Sequence, residues 1–271
     1  MGRPVTGFAY LDDVPGGVIA MAHRGGAGHP DLRGLENTRD AFAHAVALGY
    51  RYLETDVHAT ADGALVAFHD DALDRVTDAS GVIATLSLAT VSRARIGGVA
   101  PIPLLRDLLE EFPEHRFNID LKADDATGPL ARVLREAAAE ERVCVGSFSH
   151  PRLARFRALT RGRVATSASP AEAAVFLASP VGLVARALTR GRVAALQVPH
   201  RRGALPVVTR RLVRTAHAAG AQVHVWTVDD AAEMTALLDL GVDGLITDRT
   251  DVLKDVLTRR GLWRDLGGRT A

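Results

Sequence analysis

Eight short apolar, β-branched runs recur along this chain, and between most of them lies a stretch with helical period. The strand candidates are "VIAMAH", "RYLETDV", "RFNIDLK", "VCVGSF", "RVATSA", "AALQVP", "QVHVWTV" and "DGLITD". The helical stretches are "NTRDAFAHAVALG", "GPLARVLREAAAEE", "HPRLARFRALT", "SPAEAAVFLA", "VVTRRLVRTAHAAG" and "DAAEMTALLDLG", with "TDVLKDVLTRRG" at the end. Such an alternation predicts a parallel sheet with helices outside it. Eight strands in 271 residues suit a closed (β/α)8 TIM barrel, whose usual length is about 250 residues; an open doubly wound sheet is the alternative. No linker, low-complexity tract or internal repeat divides the chain, so residues 1–271 are expected to form one domain.

Local punctuation agrees. "ENTRDAF" offers Asn37 or Thr38 as an N-cap, since a short side-chain oxygen can accept an orphan backbone N–H. "ALGY", "AAGA" and "DLGV" each place a glycine just past a helical run, where a left-handed cap is needed. One segment breaks the alternation. Only "ADG" separates "ALVAFHD" from the second strand region. A parallel crossover needs a dozen or more residues, so this arm is expected to turn back as a hairpin at Asp62–Gly63 and hang His69 over the barrel top. Residues from about 71 to 102 then form a long excursion before "PLLRDLLEEF", expected to cap the active end.

The second and third strands carry the chemistry. Side chains alternate faces along a strand, so Glu54 and Asp56 share a face, as do Asp120 and Lys122 in "NIDLK". If those faces point inward near the strands' C-terminal ends, three carboxylates and a lysine converge. Buried carboxylates need a compensating cation, and oxygen-only donors suit Mg2+, Ca2+ or Mn2+ rather than zinc. His23 and Arg24 end the first strand at the same rim. Two histidines able to exchange protons near neutral pH, a hard cation, an arginine and a lysine compose a site for phosphoryl chemistry. Lys122 and Lys254 are the only lysines in an arginine-rich chain, which singles out Lys122.

"AHRGG", "ENT", "YLETDVHATADGALVAFHDDALDRVTDASG", "IPLLRDLLEEF", "FNIDLK", "VHVWTVDD" and "GVDGLITD" occur in order over nearly the whole chain, and together they resemble the glycerophosphodiester phosphodiesterase family. The resemblance implies a barrel with its site at the C-terminal face and hydrolysis of glycerophosphodiesters to glycerol 3-phosphate and an alcohol. It implies His23 and His69 as the acid–base pair, and Glu54, Asp56 and Asp120 as ligands of a divalent cation, Mg2+ or Ca2+. Arg24 and Lys122 would contact phosphate. Trp226, at the end of the seventh strand, is read as a substrate wall, with a plain barrel-core aromatic as the alternative. Glu36 joins the substrate set as a partner of Arg24 or of the metal site; the alternative is a helix-start acid on the helix dipole. Two features depart from the family pattern. Aspartate at 120 replaces the usual glutamate, and "AGHPDLRGL" lengthens the segment between "HRGG" and "ENT".

Other function classes find less support. A formal net charge of +1 argues against a nucleic-acid binder. No apolar run approaches a membrane span and the N-terminus lacks the pattern of a signal peptide, so a cytoplasmic enzyme acting on a small molecule is expected, without stable membrane insertion. The sole cysteine, Cys144, lies in an apolar run and is expected to be a buried, inert thiol. An aldolase-like barrel using Lys122 as a Schiff-base amine, or a scaffold on a decayed barrel, would be the competing readings. His58 is expected as a rim histidine, His224 as structural, and Asp70 as a solvated acid or an orienting neighbour of His69. His29, His44, His115, His150, His200 and His217 show no acidic partner pattern in the sequence.

Overall fold

The computed structural model describes residues 4–12 and 17–264. Eight parallel strands form the barrel: β1 (Ile19–Ala22), β2 (Tyr52–Ala59), then, after the arm β3 (Leu65–Ala67), β4 (Arg116–Leu121), β5 (Val143–Gly146), β6 (Ala165–Thr166), β7 (Ala195–Pro199), β8 (Gln222–Trp226) and β9 (Gly244–Thr247). Each barrel strand pairs with its neighbours in chain order, and β9 returns to β1 through Ile19–Gly244 to Ala22–Thr247. The seam between β6 and β7 is closed by the Ser167–Ala195 bridge and the bonds Ala194 N–H to Thr166 O (3.0 Å) and Ala168 N–H to Ala195 O (2.9 Å). All eight expected strands are present, and the closed barrel displaces the open-sheet alternative.

Strand parity divides the side chains into two shells. Outward residues such as Leu53, Val57, Ile119, Leu121, Val145, Val223 and Leu245 are buried against the helices. Burying each such aliphatic side chain contributes about 1.5–3 kcal/mol, so this shell carries most of the fold's stability. The inward set changes character along the barrel axis. Its lower end is apolar: Ile19, Met21, Tyr52, Cys144, Ala165, Ala195 and Ile246 pack with Tyr10 and Leu11 of the short helix Ala9–Asp12. That helix plugs the bottom through Tyr52 Oη to Tyr10 O (2.7 Å) and Arg116 to Ala9 O (3.2 Å). Cys144 is buried there, its thiol pushed up to about 12 by burial, as expected of an inert residue. Above it the interior becomes polar: Gln197 Nε2 donates to Asn118 Oδ1 at 2.7 Å, and His224 Nε2 meets Gln222 Oε1 at 3.1 Å.

The hairpin forms as the short linker requires. β3 runs antiparallel to β2 in the register Val57–Ala67, His58–Val66, Ala59–Leu65, and Gly63 in the turn adopts φ +80°. The excursion that follows has its own small core of Phe68, Leu73, Ile83, Val91, Ile96 and Ile102. Thr38, rather than Asn37, caps the helix Arg39–Ala47, its side chain accepting from the Ala41 N–H at 3.2 Å. The short helices Ala9–Asp12 and Leu88–Val91 and the longer Gly182–Leu188 had no counterpart in the sequence reading; in the last, Leu183 and Leu188 face solvent and obscure the amphipathic period. No helix among the described residues is long and apolar enough to cross a membrane.

Candidate active site

The parallel register of β2 with β4 sets Glu54 beside Asn118 and Asp56 beside Asp120. Two acids on adjacent strands therefore share one level at the C-terminal mouth. Lys122 follows β4 on the same face, and its Nζ lies 3.0 Å from Asp56 Oδ1 and 2.7 Å from Asp120 Oδ2. Glu54 and Asp56 are buried; Asp120 is half-buried.

The residues after β1 fold back over this floor. Arg24, Gly25 and Gly26 all have positive φ (49°, 83° and 85°). A Cβ at Gly25 would come within 2.6 Å of the Ala41 Cβ, and one at Gly26 within 2.4 Å of Thr250 Cγ2, so only glycine fits this turn. The turn delivers the Arg24 N–H to Glu54 Oε2 at 3.0 Å and the Arg24 Nε to within 3.3 Å of Asp56 Oδ2. Asn37, also at positive φ (57°), donates its Nδ2 to Asp56 Oδ2 at 3.2 Å and accepts from Thr55 Oγ1 at 2.8 Å.

Both rim histidines are braced at Nδ1 by a carboxylate. His23 Nδ1 is 2.8 Å from Asp248 Oδ1, and its Nε2 is 3.9 Å from Glu54 Oε2. His69 Nδ1 is 2.5 Å from Asp70 Oδ1. The His69 carbonyl is held by His58 Nε2 at 3.1 Å, so His58 is a hydrogen-bonded rim residue supporting the hairpin tip. Asp70 in turn binds Arg75 at 2.5 and 3.1 Å; Arg75 binds both oxygens of Glu36 at 3.0 and 2.6 Å; Glu36 accepts from Arg24 at 3.1 Å. An unbroken chain of alternating charge thus runs from Asp70, the partner of His69, to the floor acid Asp56. Glu36 sits inside that chain between two arginines.

The charges are unevenly compensated. Burial, with the neighbouring Asp56, pushes the Glu54 carboxyl up to about 7. Burial also raises Asp120, against the pull of Lys122. Asp56 goes the other way: burial opposes its ionisation, yet Lys122 and Arg24 hold it below the usual range. Lys122 is raised despite burial by Asp56 and Asp120, and His23 is raised despite burial by Glu54 and Asp248. Arg75, with His69 adding to its effect, draws Asp70 down to about 2.

An aromatic wall flanks the mouth. Trp226, half-buried at the end of β8, meets Phe148 edge-on with centroids 5.9 Å apart, and Lys122 Nζ lies 6.0 Å from the Phe148 ring. Phe148 is 65% exposed although large and apolar.

All nine expected site residues come to this end of the barrel. The neighbours that sequence reasoning missed are Asn37, Arg75, Phe148 and Asp248. Asn37 lies within "ENT" but was weighed only as a cap; Asp248 follows the last strand, as His23 follows the first; Arg75 is the lone arginine in an acidic stretch. The view that the remaining histidines lack acidic partners is corrected. His217 Nε2 is 2.8 Å from Asp243 Oδ2, His200 pairs with Glu233, and His29 and His44 both face Asp31. Most of these partners arrive from other elements, so no local pattern announced them. Among the described residues, the one group of three potential ligands whose atoms all lie within 4.8 Å of each other is His29, Asp31 and His44, not the floor acids.

Comparison with known proteins places this geometry in context. The model of the glycerophosphoryl diester phosphodiesterase family matches residues 23–252. A probable glycerophosphodiester phosphodiesterase of Mycobacterium tuberculosis is 45% identical over 250 residues, covering 92% of this chain and 94% of that protein. A putative glycerophosphoryl diester phosphodiesterase structure from Silicibacter pomeroyi superposes with a TM-score of 0.79 at 23% identity, covering 94% of this chain and 99% of the other. A phosphodiesterase of Oleispira antarctica, solved in complex with the product sn-glycerol-3-phosphate, gives a TM-score of 0.74 at 24% identity over 92% and 98% of the two chains.

Proposed function

Because the chain belongs to the glycerophosphoryl diester phosphodiesterase family, and is a phosphodiesterase of that class, we propose that the mouth of this barrel splits glycerophosphodiesters with His23 and His69 as acid and base over a divalent cation. The observation that carries this reading is the pair of histidines, each fixed at Nδ1 by its own carboxylate, above a floor of three acids and two bases. Bracing at Nδ1 leaves each Nε2 free to take or give a proton.

The residues present fit a hard cation. Glu54 and Asp56 lie together in a buried floor, and burial with the Asp56 charge raises the Glu54 carboxyl despite His23 and Arg24, which supports a further positive charge there. Glu54, Asp56 and Asp120 would hold Mg2+ or Ca2+ through oxygen, Asp120 giving up part of its contact with Lys122. Such an ion, when bound, neutralises the phosphate and favours charge build-up on its oxygens.

The chain's own groups account for the remaining steps. Arg24 and Lys122 bind the phosphate; Glu36 holds Arg24 in place; Trp226 and Phe148 wall the alcohol side. One histidine removes the proton of the glycerol 2-hydroxyl as its oxygen attacks phosphorus. The phosphorus bond to the departing alcohol breaks, and the other histidine protonates that oxygen. Water then opens the cyclic phosphate with the two roles reversed, releasing glycerol 3-phosphate. Direct attack by water is the alternative course. A Schiff-base role for Lys122 is disfavoured, because two carboxylates hold its ammonium protonated. The test is release of glycerol 3-phosphate from glycerophosphocholine with and without chelator. Borohydride trapping on Lys122 with a carbonyl substrate would instead support the competing chemistry.

A further inference from the structure

A second group of ligating side chains lies outside the catalytic constellation, where the loop after the glycine turn meets the helix Arg39–Ala47. We propose that His29, Asp31 and His44 form a zinc-class metal site that pins this loop to the helix. Their candidate ligand atoms all lie within 4.8 Å of one another. His29 Nδ1 is 3.7 Å, and His44 Nε2 4.0 Å, from the same oxygen, Asp31 Oδ2. The two imidazoles face each other with centroids 4.3 Å apart and planes tilted by 54°.

The chemistry of the three groups selects the ion. In a tetrahedral zinc site, bonds of about 2.0–2.2 Å place neighbouring donors roughly 3.4 Å apart, so the two histidine nitrogens need to close on Asp31 by about half an ångström, and on each other from a separation of up to 4.8 Å. Two imidazole nitrogens and one carboxylate suit Zn2+, and exclude the preference for oxygen shown by Mg2+ and Ca2+. His29 Nδ1 accepts the Asp31 N–H at 3.2 Å, so that nitrogen is unprotonated, and an ion there would replace this bond. Three protein ligands leave a fourth position for water.

The place in the fold gives the site a consequence. His29 and Asp31 belong to "AGHPDLRGL", the segment that lengthens this loop. The same loop is stitched to the residue that braces His23: the Gly28 N–H donates to Asp248 O at 3.0 Å, and a Cβ at Gly28 would come within 2.8 Å of Asp248 Cβ. A metal on His29, Asp31 and His44 therefore anchors the loop beside the catalytic mouth without touching the reacting atoms.

The experiment titrates the full-length, chelator-stripped protein with Zn2+ alone and reads affinity and stoichiometry by calorimetry. A Glu54→Gln/Asp56→Asn background removes two of the three proposed catalytic ligands. Zinc binding should persist in that background. It should weaken by at least about 100-fold on His29→Ala or His44→Ala, and Asp31→Asn, at an exposed position, should weaken it with no risk to the fold. In the wild-type background the same changes should remove one zinc per chain. Substituted Co2+ should show nitrogen-ligated visible bands that vanish in the His29 and His44 variants. Unchanged zinc affinity and stoichiometry in His29→Ala and Asp31→Asn, or zinc binding that disappears only with Glu54 and Asp56, would overturn the site.

Discussion

Glu54 on the barrel floor and Asp70 beside the hairpin histidine are both carboxylates of one site, yet they stand at opposite ends of the titration range. Burial and the neighbouring Asp56 push Glu54 up to about 7, while Arg75 and His69 draw Asp70 down to about 2. The strand-borne floor is short of positive charge; on the loop-borne rim Asp70 and Glu36 are each paired with an arginine. The difference suggests a division of labour. An under-compensated floor is suited to receive a cation and a phosphate, and a fully paired rim is suited to hold histidines still. Burying charge in the floor costs stability, and the apolar outer shell and bottom plug offset that cost.

The largest test of this division is removal of the cation. Exhaustive chelation should bring turnover to background and added Mg2+ or Ca2+ should restore it, as measured by glycerol 3-phosphate release. Full activity after chelation, with no bound metal detected, would mean that Arg24 and Lys122 alone suffice for the floor.

Next in size come the two histidines. His23→Ala and His69→Ala should each lower kcat by at least about 100-fold while the circular dichroism spectrum stays native. The double variant should fall short of the product of the two losses, because the pair acts as a unit. Near-normal turnover in His69→Ala would detach the hairpin from the chemistry and leave the rim a structural feature.

The site was unevenly legible in the sequence, for a physical reason. Floor residues follow from strand parity: Glu54 and Asp56 at i and i+2, Asp120 and Lys122 likewise, need only the β/α alternation to be placed together. His69 followed from a linker too short for a crossover. The rim's partners obey no such local rule. Asp248 reaches His23 across 225 residues of sequence, and Arg75 meets Glu36 only after the excursion has folded on its own core. Asn37 was visible as a polar residue at a helix start, but its turn to Asp56 depends on a positive φ that no periodicity signals.

A smaller and more specific effect is expected at Asp120. Its half-buried carboxylate is one methylene shorter than the glutamate usual at this place, and it is committed to Lys122 at 2.7 Å. Asp120→Asn should weaken cation affinity by at least about tenfold, with much of the activity recovered at high metal concentration. Asp120→Glu should be tolerated. A cation-bound crystal structure with Asp120 turned away from the ion and its waters would remove it from the ligand set.

The pH dependence of stability should carry opposite signs in the two regions. Glu54 is raised from 4.5 to about 7 on folding. The metal-free fold therefore binds the Glu54 proton more tightly than the unfolded chain, and that contribution is complete below pH 4.5 and lost as pH rises to 7. Asp70 is lowered from 3.8 to about 2, so its contribution is present above pH 3.8 and lost as pH falls to 2. Melting temperatures of the metal-free protein should thus show Glu54→Gln relieving a loss between pH 4.5 and 7, and Asp70→Asn costing stability at neutral pH but not near pH 2. The same sign for both variants would erase the distinction between floor and rim.

The gentlest test is Arg75, which touches neither the floor nor either histidine. Its guanidinium joins Asp70, the brace of His69, to Glu36, the brace of Arg24. It is 47% exposed, so water screens its ion pairs and Arg75→Ala should change global stability by no more than about 1 kcal/mol. Its effect on rate should come through geometry instead. Without Arg75, Asp70 and Glu36 lose their shared cation, and the His69 and Arg24 side chains each gain freedom. The expected result is a fall in kcat of up to about tenfold with little change in KM, partly restored by Arg75→Lys, which keeps the charge but not the two-sided fork. A fall of the size predicted for His69→Ala would show that the rim is not a set of independent braces, and that its chain of charge must be intact for either histidine to work.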